Sequence, residues 1–414
     1  MVLSRRAFSV GGLALLAACS RGTAPGGSRI VETEYRAVPN AGYDVWVAGF
    51  KGRAAGRGIA QATLDRAFAG AGFLPEVVEK DRNQTEFTRT TEDYLAIAAS
   101  PDRVSKGRAA LVAQGSVLAE IEARYGVEAR IVTAVWGLES LYGARRGTVP
   151  VISALSTLAY DGRRGEFFES QLIAALKILQ NGDVTPERMT GSWAGAMGHT
   201  QFIPTSYLGS AVDFRGDGRR DIWSDDPTDA LASTAAYLKQ AGWTFGQPWG
   251  MEVRLPAGVG LGSRSGSGWR DLGVTRAAGG VIPDGTARLI QPAGAGTPAF
   301  LLFNNFNVIL RYNNAESYAL GVGYLSDRIA GGAALSGAFP PDANGLTLAD
   351  RQRLQARLTA AGYDTGGAEG VIGPKTIAAI EAYQRDSGLA VTGQPSAGLL
   401  AALSEPPAGI FRPK

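Results

Sequence analysis

Residues 131–142 form a strongly apolar stretch that carries one carboxylate, Glu139. Ile131, Val135, Leu138 and Tyr142 recur at helical spacing. The stretch from 129 to 142 therefore reads as one buried helix, with Gly143 as its stop. The rest of the chain has to pack around it. A carboxylate among hydrophobic neighbours is costly unless it is protonated or paired. Unpaired, it is pushed by desolvation towards a neutral acid near pH 7, and its place in the last turn adds the negative end of the helix dipole. A neutral acid is what protonating a poor leaving group requires. The competing reading is a structural ion pair with Arg145 or Arg146.

Composition removes most other chemistry. The chain of 414 residues has one His and one Cys, which excludes a His-based zinc site, a thiolate cluster and an internal disulfide. A Ser-His-Asp triad has only His199 to draw on. No Gly-Lys-Ser/Thr phosphate loop and no strand-linked dinucleotide fingerprint is present. Carboxylate chemistry remains. Net charge is +3, part of it in the N-terminal Arg5 and Arg6, and nothing in its distribution suggests nucleic acid.

Ser4-Arg5-Arg6-Ala7-Phe8 precedes an apolar run from Val10 to Ala18. That run is far below the ~20 residues of a membrane-spanning helix. It reads as an export signal over residues 1–18. The arginine pair resembles a twin-arginine signal. Leu16-Ala17-Ala18-Cys19 resembles a bacterial lipobox, which implies cleavage before Cys19, lipid on its thiol and membrane attachment through that lipid. Ser20 after the cysteine implies the outer membrane, with the protein in the periplasm. Residues 19–40, rich in Gly, Ser and Pro, then form a lipidated tether.

The pattern from 41 to 125 is mainly helical, with helices expected over 92–99 and 106–125, and it is helical again over 150–182. Residues 250–300 read as strands and loops. Phe300–Tyr312 is ambiguous between strand and helix, and 316–330 reads as a closing helix. A linker follows at 331–345, around Pro340-Pro341. Residues 346–403 then form a compact module. One helix starts near Leu348 and ends at Gly362-Tyr363, a second runs through Thr376, Ile380 and Gln384, and a short third covers Leu399–Leu403.

The second dense cluster runs from Gly191 to Tyr207. Small residues there allow close backbone approach. Ser192 and Gln201 offer donors and acceptors, and Trp193, Phe202 and Tyr207 offer flat apolar faces. That mixture suits a sugar ring, although a tight packing turn would use the same residues.

Taken with Glu139, the cluster resembles the membrane-bound lytic transglycosylase B family, whose members cleave bacterial peptidoglycan. The resemblance covers residues 41–330. It rests on Trp136-Gly-Leu-Glu139-Ser-Leu-Tyr142-Gly, Arg163-Arg164, Gly195-Ala-Met-Gly with Gln201-Phe-Ile-Pro-Thr-Ser-Tyr207, and Tyr312-Asn313 with Tyr318. It implies an α+β, mainly α fold, with a lysozyme-like helical core and a small β segment. Glu139 maps to the catalytic acid/base. Ser192, Gln201, Phe202, Tyr312, Asn313 and Tyr318 map to the glycan cleft. Arg163 and Arg164 map to cleft arginines that attract stem-peptide carboxylates. His199 is a candidate cleft contact and not a base.

Most glycosidases use two carboxylates. The Glu139 motif offers one, and the family's lytic reaction needs only one. Glu139 protonates the glycosidic oxygen between muramic acid and glucosamine, then deprotonates the C6 hydroxyl, and a 1,6-anhydromuramic end forms without water. The rival readings are a hydrolytic muramidase and a catalytically silent wall-binding lipoprotein. Partners implied are glycan strands and other cell-wall enzymes. No cofactor is required.

Asp213-Phe-Arg215-Gly-Asp217-Gly218-Arg-Arg-Asp221 places acids at positions 1, 5 and 9 of a calcium-type loop, with Gly at 6. Asp213, Asp217 and Asp221 are thus candidate ligands for a structural calcium. Arg215 occupies position 3 and Ser224 position 12, with Asp225 or Asp229 as substitutes. A turn held by Asp-Gly chemistry and Arg–Asp pairs explains the same residues. Residues 346–403, with Gly362-Tyr363-Asp364, Glu369-Gly370-Val371-Ile372-Gly373-Pro374 and Tyr383-Gln384-Arg385, resemble the three-helix peptidoglycan-binding domain found beside cell-wall enzymes. Such an anchor raises local substrate concentration.

Overall fold

The computed structural model describes residues 35–83 and 89–403. The signal segment, Cys19 and the tether up to residue 34 lie outside the described residues. Six helices precede the site: Ala41–Ala55, Gln61–Phe68, Pro75–Arg82, Thr91–Ala98, Pro101–Ala113 and Gly115–Tyr125. The single helix expected over 106–125 is two, broken at Gln114, where the backbone leaves the helical region ahead of Gly115. Local chemistry sets the starts. Asn40 accepts a hydrogen bond from the Tyr43 amide, and Ser100 caps a helix whose first residue is Pro101.

Ala129–Ser140 is the central helix, and every residue from Ile131 to Ser140 is buried. It ends two residues earlier than its sequence pattern suggests. Leu141, Tyr142 and Gly143 all adopt positive φ, at 52°, 57° and 83°. Tyr142 therefore leaves the helical face and folds back, its ring edge-on to Trp136 at 5.8 Å. Gly137 makes room, since a Cβ there would lie 2.5 Å from the Tyr142 hydroxyl.

Two apolar cores meet along this helix. One gathers the first three helices, Val151–Asp161, Gly165–Asn181 and the 189–207 region, while Thr91–Ala98, Pro101–Ala113 and Gly115–Tyr125 pack into the other. The other gathers Ile131–Leu138, Thr228–Gln240, Asn304–Tyr312 and Glu316–Ile329. Tyr237 and Tyr312 pack against both. The seam between them is where the 191–202 loop faces the Glu139 helix.

Residues 250–302 build a third core under a five-stranded antiparallel sheet. Its order is Gly262–Ser265, Thr286–Ile290, Ala299–Leu302, Gly250–Arg254, Thr275–Arg276. The ambiguous Phe300–Tyr312 run is both things: part of the central strand of the sheet as far as Leu302, paired on both sides, then a helix from Asn304. The C-terminal module holds three helices, Leu348–Ala360, Pro374–Asp386 and Ala397–Ala402, around Leu354, Leu358, Ile380 and Leu399. A Thr347–Asp350 capping box starts the first of them. The segment before the module is fastened down: the Ser336 and Gly337 amides donate to the Glu252 carboxylate at 2.7–3.1 Å.

Candidate active site

Glu139 sits in the last turn of the central helix, 4% exposed. The Tyr318 hydroxyl donates to its Oε1 at 2.6 Å. Burial, then the charge of Glu139, push the Tyr318 phenol well above its usual value, and the same two causes act on Tyr312. Both phenols are therefore O–H donors at any physiological pH. The Tyr312 donor is directed at the Thr200 carbonyl, 2.6 Å away. Asn313 follows as the helix cap, and its buried Oδ1 has no hydrogen-bond partner. An orphaned buried acceptor costs about 1–3 kcal/mol, so it points to a ligand donor.

Three buried acids stand out among the described residues. Asp81 is clasped by Arg163 and Arg164, and Asp183 by Arg220. Glu139 takes the hydroxyl of Tyr318. The structural pair envisaged with Arg146 does not form. That guanidinium reaches the Trp223 and Ser224 carbonyls and the Asp225 carboxylate instead.

The Glu139 helix and the 191–202 loop are joined at one point. Ser140 Oγ donates to the His199 carbonyl at 2.5 Å and accepts from the Gly143 amide at 2.9 Å. The Trp136 indole N–H donates to His199 Nδ1 at 3.1 Å, which leaves Nε2 as the protonated nitrogen, donating to the Ser224 carbonyl at 2.7 Å. Burial lowers the His199 pKa, and the ring is 3% exposed. His199 is thus a neutral strut that ties helix to loop, not a cleft contact. Gly143 is required beneath it: a Cβ there would lie 2.5 Å from Nδ1.

Gln201 also has positive φ, 52°, and its amide donates to the Arg146 and Gly198 carbonyls. Strained backbone thus approaches the site from both sides, Leu141-Tyr142 and Gln201 each costing roughly 1–3 kcal/mol. Ser192 Oγ accepts the Ala194 and Ala196 amides and closes the loop. Phe202 was expected to offer its face to a sugar. Its ring is buried, 5.9 Å from Tyr237 and 5.7 Å from Tyr312, so it props the Tyr312 wall from behind.

Arg163 and Arg164 have a partner the sequence reading did not foresee. Both reach the buried Asp81 at 2.5 Å. Burial alone would raise Asp81, but the two arginines outweigh it and hold the carboxylate below its usual range. Sequence reasoning also missed Tyr94. Its ring packs on Gly321, one turn from Tyr318. No motif announces it. It lies in a short helix whose apolar positions look like ordinary core.

The Asp213 loop closes on itself. Asp213 accepts the Gly216, Asp217 and Gly218 amides, and Asp217 accepts that of Arg219. Asp221 accepts the Trp223 and Ser224 amides and pairs with Arg188. Arg215 turns outward to Glu120. No group of three or more His, Cys, Asp or Glu converges as a metal cage among the described residues. The carboxylates as placed do not fit a calcium ion.

With this geometry in hand, comparison with known proteins is direct. The transglycosylase SLT domain family matches residues 42–327, and a peptidoglycan binding domain family matches 347–403. Membrane-bound lytic murein transglycosylase B of Escherichia coli K12 is 34% identical over 221 residues, 50% of this chain and 58% of that protein. The crystal structure of SltB3 from Pseudomonas aeruginosa, in complex with NAG-NAM-pentapeptide, is 49% identical. It covers 88% of this chain and all of that one, with a TM-score of 0.71. The Escherichia coli lytic transglycosylase Slt35 in complex with calcium is 29% identical, covering 70% and 93%, with a TM-score of 0.59. Resemblance, fold and family thus agree: this chain belongs to the transglycosylase SLT family and has the lysozyme-like fold of the lytic transglycosylases, with a C-terminal peptidoglycan-binding domain.

Proposed function

We propose that this lytic transglycosylase cleaves the β-1,4 bond between N-acetylmuramic acid and N-acetylglucosamine in peptidoglycan, without water, and that Glu139 serves as acid and then base. The observation that carries the reading is Glu139 itself, a buried carboxyl at the seam of two cores with a phenol donor 2.6 Å from Oε1. The other buried acids among the described residues, Asp81 and Asp183, are committed to arginines.

The protonated Glu139 gives its proton to the glycosidic oxygen as the bond from that oxygen to muramic C1 breaks. The substrate's own acetamido oxygen stabilises the cation at C1. Glu139, now ionised and served by Tyr318, takes the proton of the C6 hydroxyl while that oxygen bonds to C1. The acid is regenerated, and the products are a 1,6-anhydromuramic end and a free glucosamine hydroxyl. The Asn313 Oδ1 supplies an acceptor for a sugar hydroxyl or amide. On this reading Arg163, Arg164, Ser192 and Gln201 serve glycan binding, as the family motifs they match imply.

The C-terminal module adds a glycan anchor. The sequence around Cys19 supports an exported lipoprotein held at the outer membrane. Among the described residues no helix is long and apolar enough to cross a membrane. Mass spectrometry of digested sacculi tests the reaction. Anhydro ends are expected from the native enzyme and none from Glu139→Gln. Ordinary reducing ends, heavier by one water, would favour a hydrolytic muramidase, and full turnover by Glu139→Gln would remove Glu139 from the chemistry.

A further inference from the structure

The C-terminal module is joined to the catalytic domain by a charge cluster centred on one buried arginine. Arg351, in the first helix of the module, is 3% exposed. Its Nη2 donates to Glu92 at 2.7 Å and to Asp93 at 3.0 Å, both in the first turn of the helix Thr91–Ala98. Nη1 meets Asp342 at 3.3 Å and the Leu346 carbonyl at 3.1 Å, and Nε meets the Gly370 carbonyl at 2.7 Å. One guanidinium thus holds the module's own loops and the catalytic domain at once. Such a cluster is costly to break, because it leaves the buried Arg351 guanidinium without its carboxylates, which are themselves partly exposed.

The helix it grips leads to the acid. Tyr94 is the residue after Asp93, and its ring lies where a Cβ on Gly321 would come within 2.7 Å. The same Cβ would meet Ala98 at 3.2 Å and Leu138 at 3.4 Å. Gly321 is therefore the point where three helices touch: Thr91–Ala98, Glu316–Ile329 and Ala129–Ser140. Tyr318, one turn before Gly321, is the donor to Glu139.

We propose that Arg351 is a positioning residue for catalysis: by seating the glycan-binding module on Glu92 and Asp93, it fixes the helix that braces Tyr318 against Glu139. The module then sets turnover as well as recruitment. This rests on Glu139 and Tyr318 acting as described above.

The mature full-length enzyme is assayed on short soluble peptidoglycan fragments, for which wall anchoring is irrelevant. Glu92→Gln with Asp93→Asn removes the grip but leaves Arg351 bonded to Asp342, Leu346 and Gly370, so the module stays folded. A fall in kcat of about tenfold with KM little changed is expected, since small misplacements of reacting groups cost that much or more. Adding Arg351→Gln to that double variant should cause no further loss of kcat, the mark of groups acting as one unit. An unchanged kcat, or independent multiplying losses, would overturn the coupling. Glu139→Gln in the same assay keeps the two ideas apart. If it is inactive while the latch variant turns over at full speed, only the latch fails.

Discussion

Replacing Tyr318 by Phe removes the hydroxyl that donates to the acid. The ring is buried at 4% exposure, so a phenylalanine fills the same space and only the hydroxyl is lost. That hydroxyl donates to Glu139 Oε1 at 2.6 Å. A hydrogen bond to a charged group contributes about 1.5–3 kcal/mol, and each 1.36 kcal/mol of barrier is tenfold in rate. If the bond is realised when Glu139 is ionised, the Phe variant should lose roughly 10- to 150-fold in kcat. The pH profile should change with it. A donor to Oε1 favours the ionised form, so its loss favours the neutral acid. The limb of the kcat/KM profile that reports loss of the acid's proton should move to higher pH. Tyr318 itself contributes no limb, because burial and the neighbouring charge keep its phenol protonated throughout.

The assay is release of anhydro products from soluble fragments across the pH range, with native and Tyr318→Phe enzyme side by side. A fall in rate together with a displaced limb supports the arrangement. An unchanged rate, or a loss with an unmoved profile, would show that the hydroxyl serves packing alone. The account of Glu139 as proton donor and acceptor under Tyr318's control would then be wrong.

Asp81→Ala leaves Arg163 and Arg164 without their shared partner; because both guanidinia are partly exposed, a loss of about 1.5–3 kcal/mol in denaturant unfolding is expected. Because the native Asp81 pKa is depressed, its contribution is complete above the unfolded value of about 3.9 and is lost as pH falls through the folded value. A variant of native stability would show that the clasp is not structural. His199 behaves alike for a different reason. Burial depresses its pKa, so the neutral ring stabilises fully above about 6.5 and that stability is lost as pH falls below it. The melting temperature of the native enzyme should therefore drop more between pH 7 and 5 than that of His199→Gln, and equal slopes would contradict this. The Asp213 loop, closed by its own amides, should melt at the same temperature with chelator or with added calcium, as followed by calorimetry. A rise with calcium would restore the metal reading.

What the sequence disclosed and what it hid divide along physical lines. The buried central helix was legible because most of its ten consecutive buried residues are apolar, which leaves Glu139 conspicuous among them. The C-terminal helices were legible from helical spacing, and the strand region from its short runs and turn residues. The helix end was not legible. Leu141 and Tyr142 are ordinary helix residues, and only tertiary contacts with Gly137, Trp136 and the Arg103 carbonyl hold them at positive φ. The break at Gln114 was hidden for a related reason, since a lone glycine is tolerated inside many helices. At the site, motif matches named Glu139 and Tyr318 but not their contact, which spans 179 residues of chain. Phe202 suits a sugar by its flat apolar face, and His199 and the two arginines take their cleft reading from the family resemblance. Burial and prior partners decide otherwise for the first two, and attach the arginines to Asp81, whose own sequence context gives no hint of that partner.

The placement of strain explains why one carboxyl can do two jobs here. A group that must be neutral for one step and ionised for the next needs an environment that penalises neither form heavily. Burial penalises the ionised form, and a fixed phenol donor offsets that penalty only if it is held at hydrogen-bond distance. Leu141, Tyr142 and Gln201 spend conformational energy on both flanks, and Ser140 and His199 join those flanks through a buried hydrogen-bonded strut. Packing then fixes Tyr318 from the opposite helix through Gly321. The cost of this arrangement is borne by two hydrophobic cores that meet at the site, which is why the acid lies at their seam and not on a loop. A second carboxylate could be added to such a seam only by desolvating another charge beside Glu139. An acid that reclaims its own proton avoids that cost.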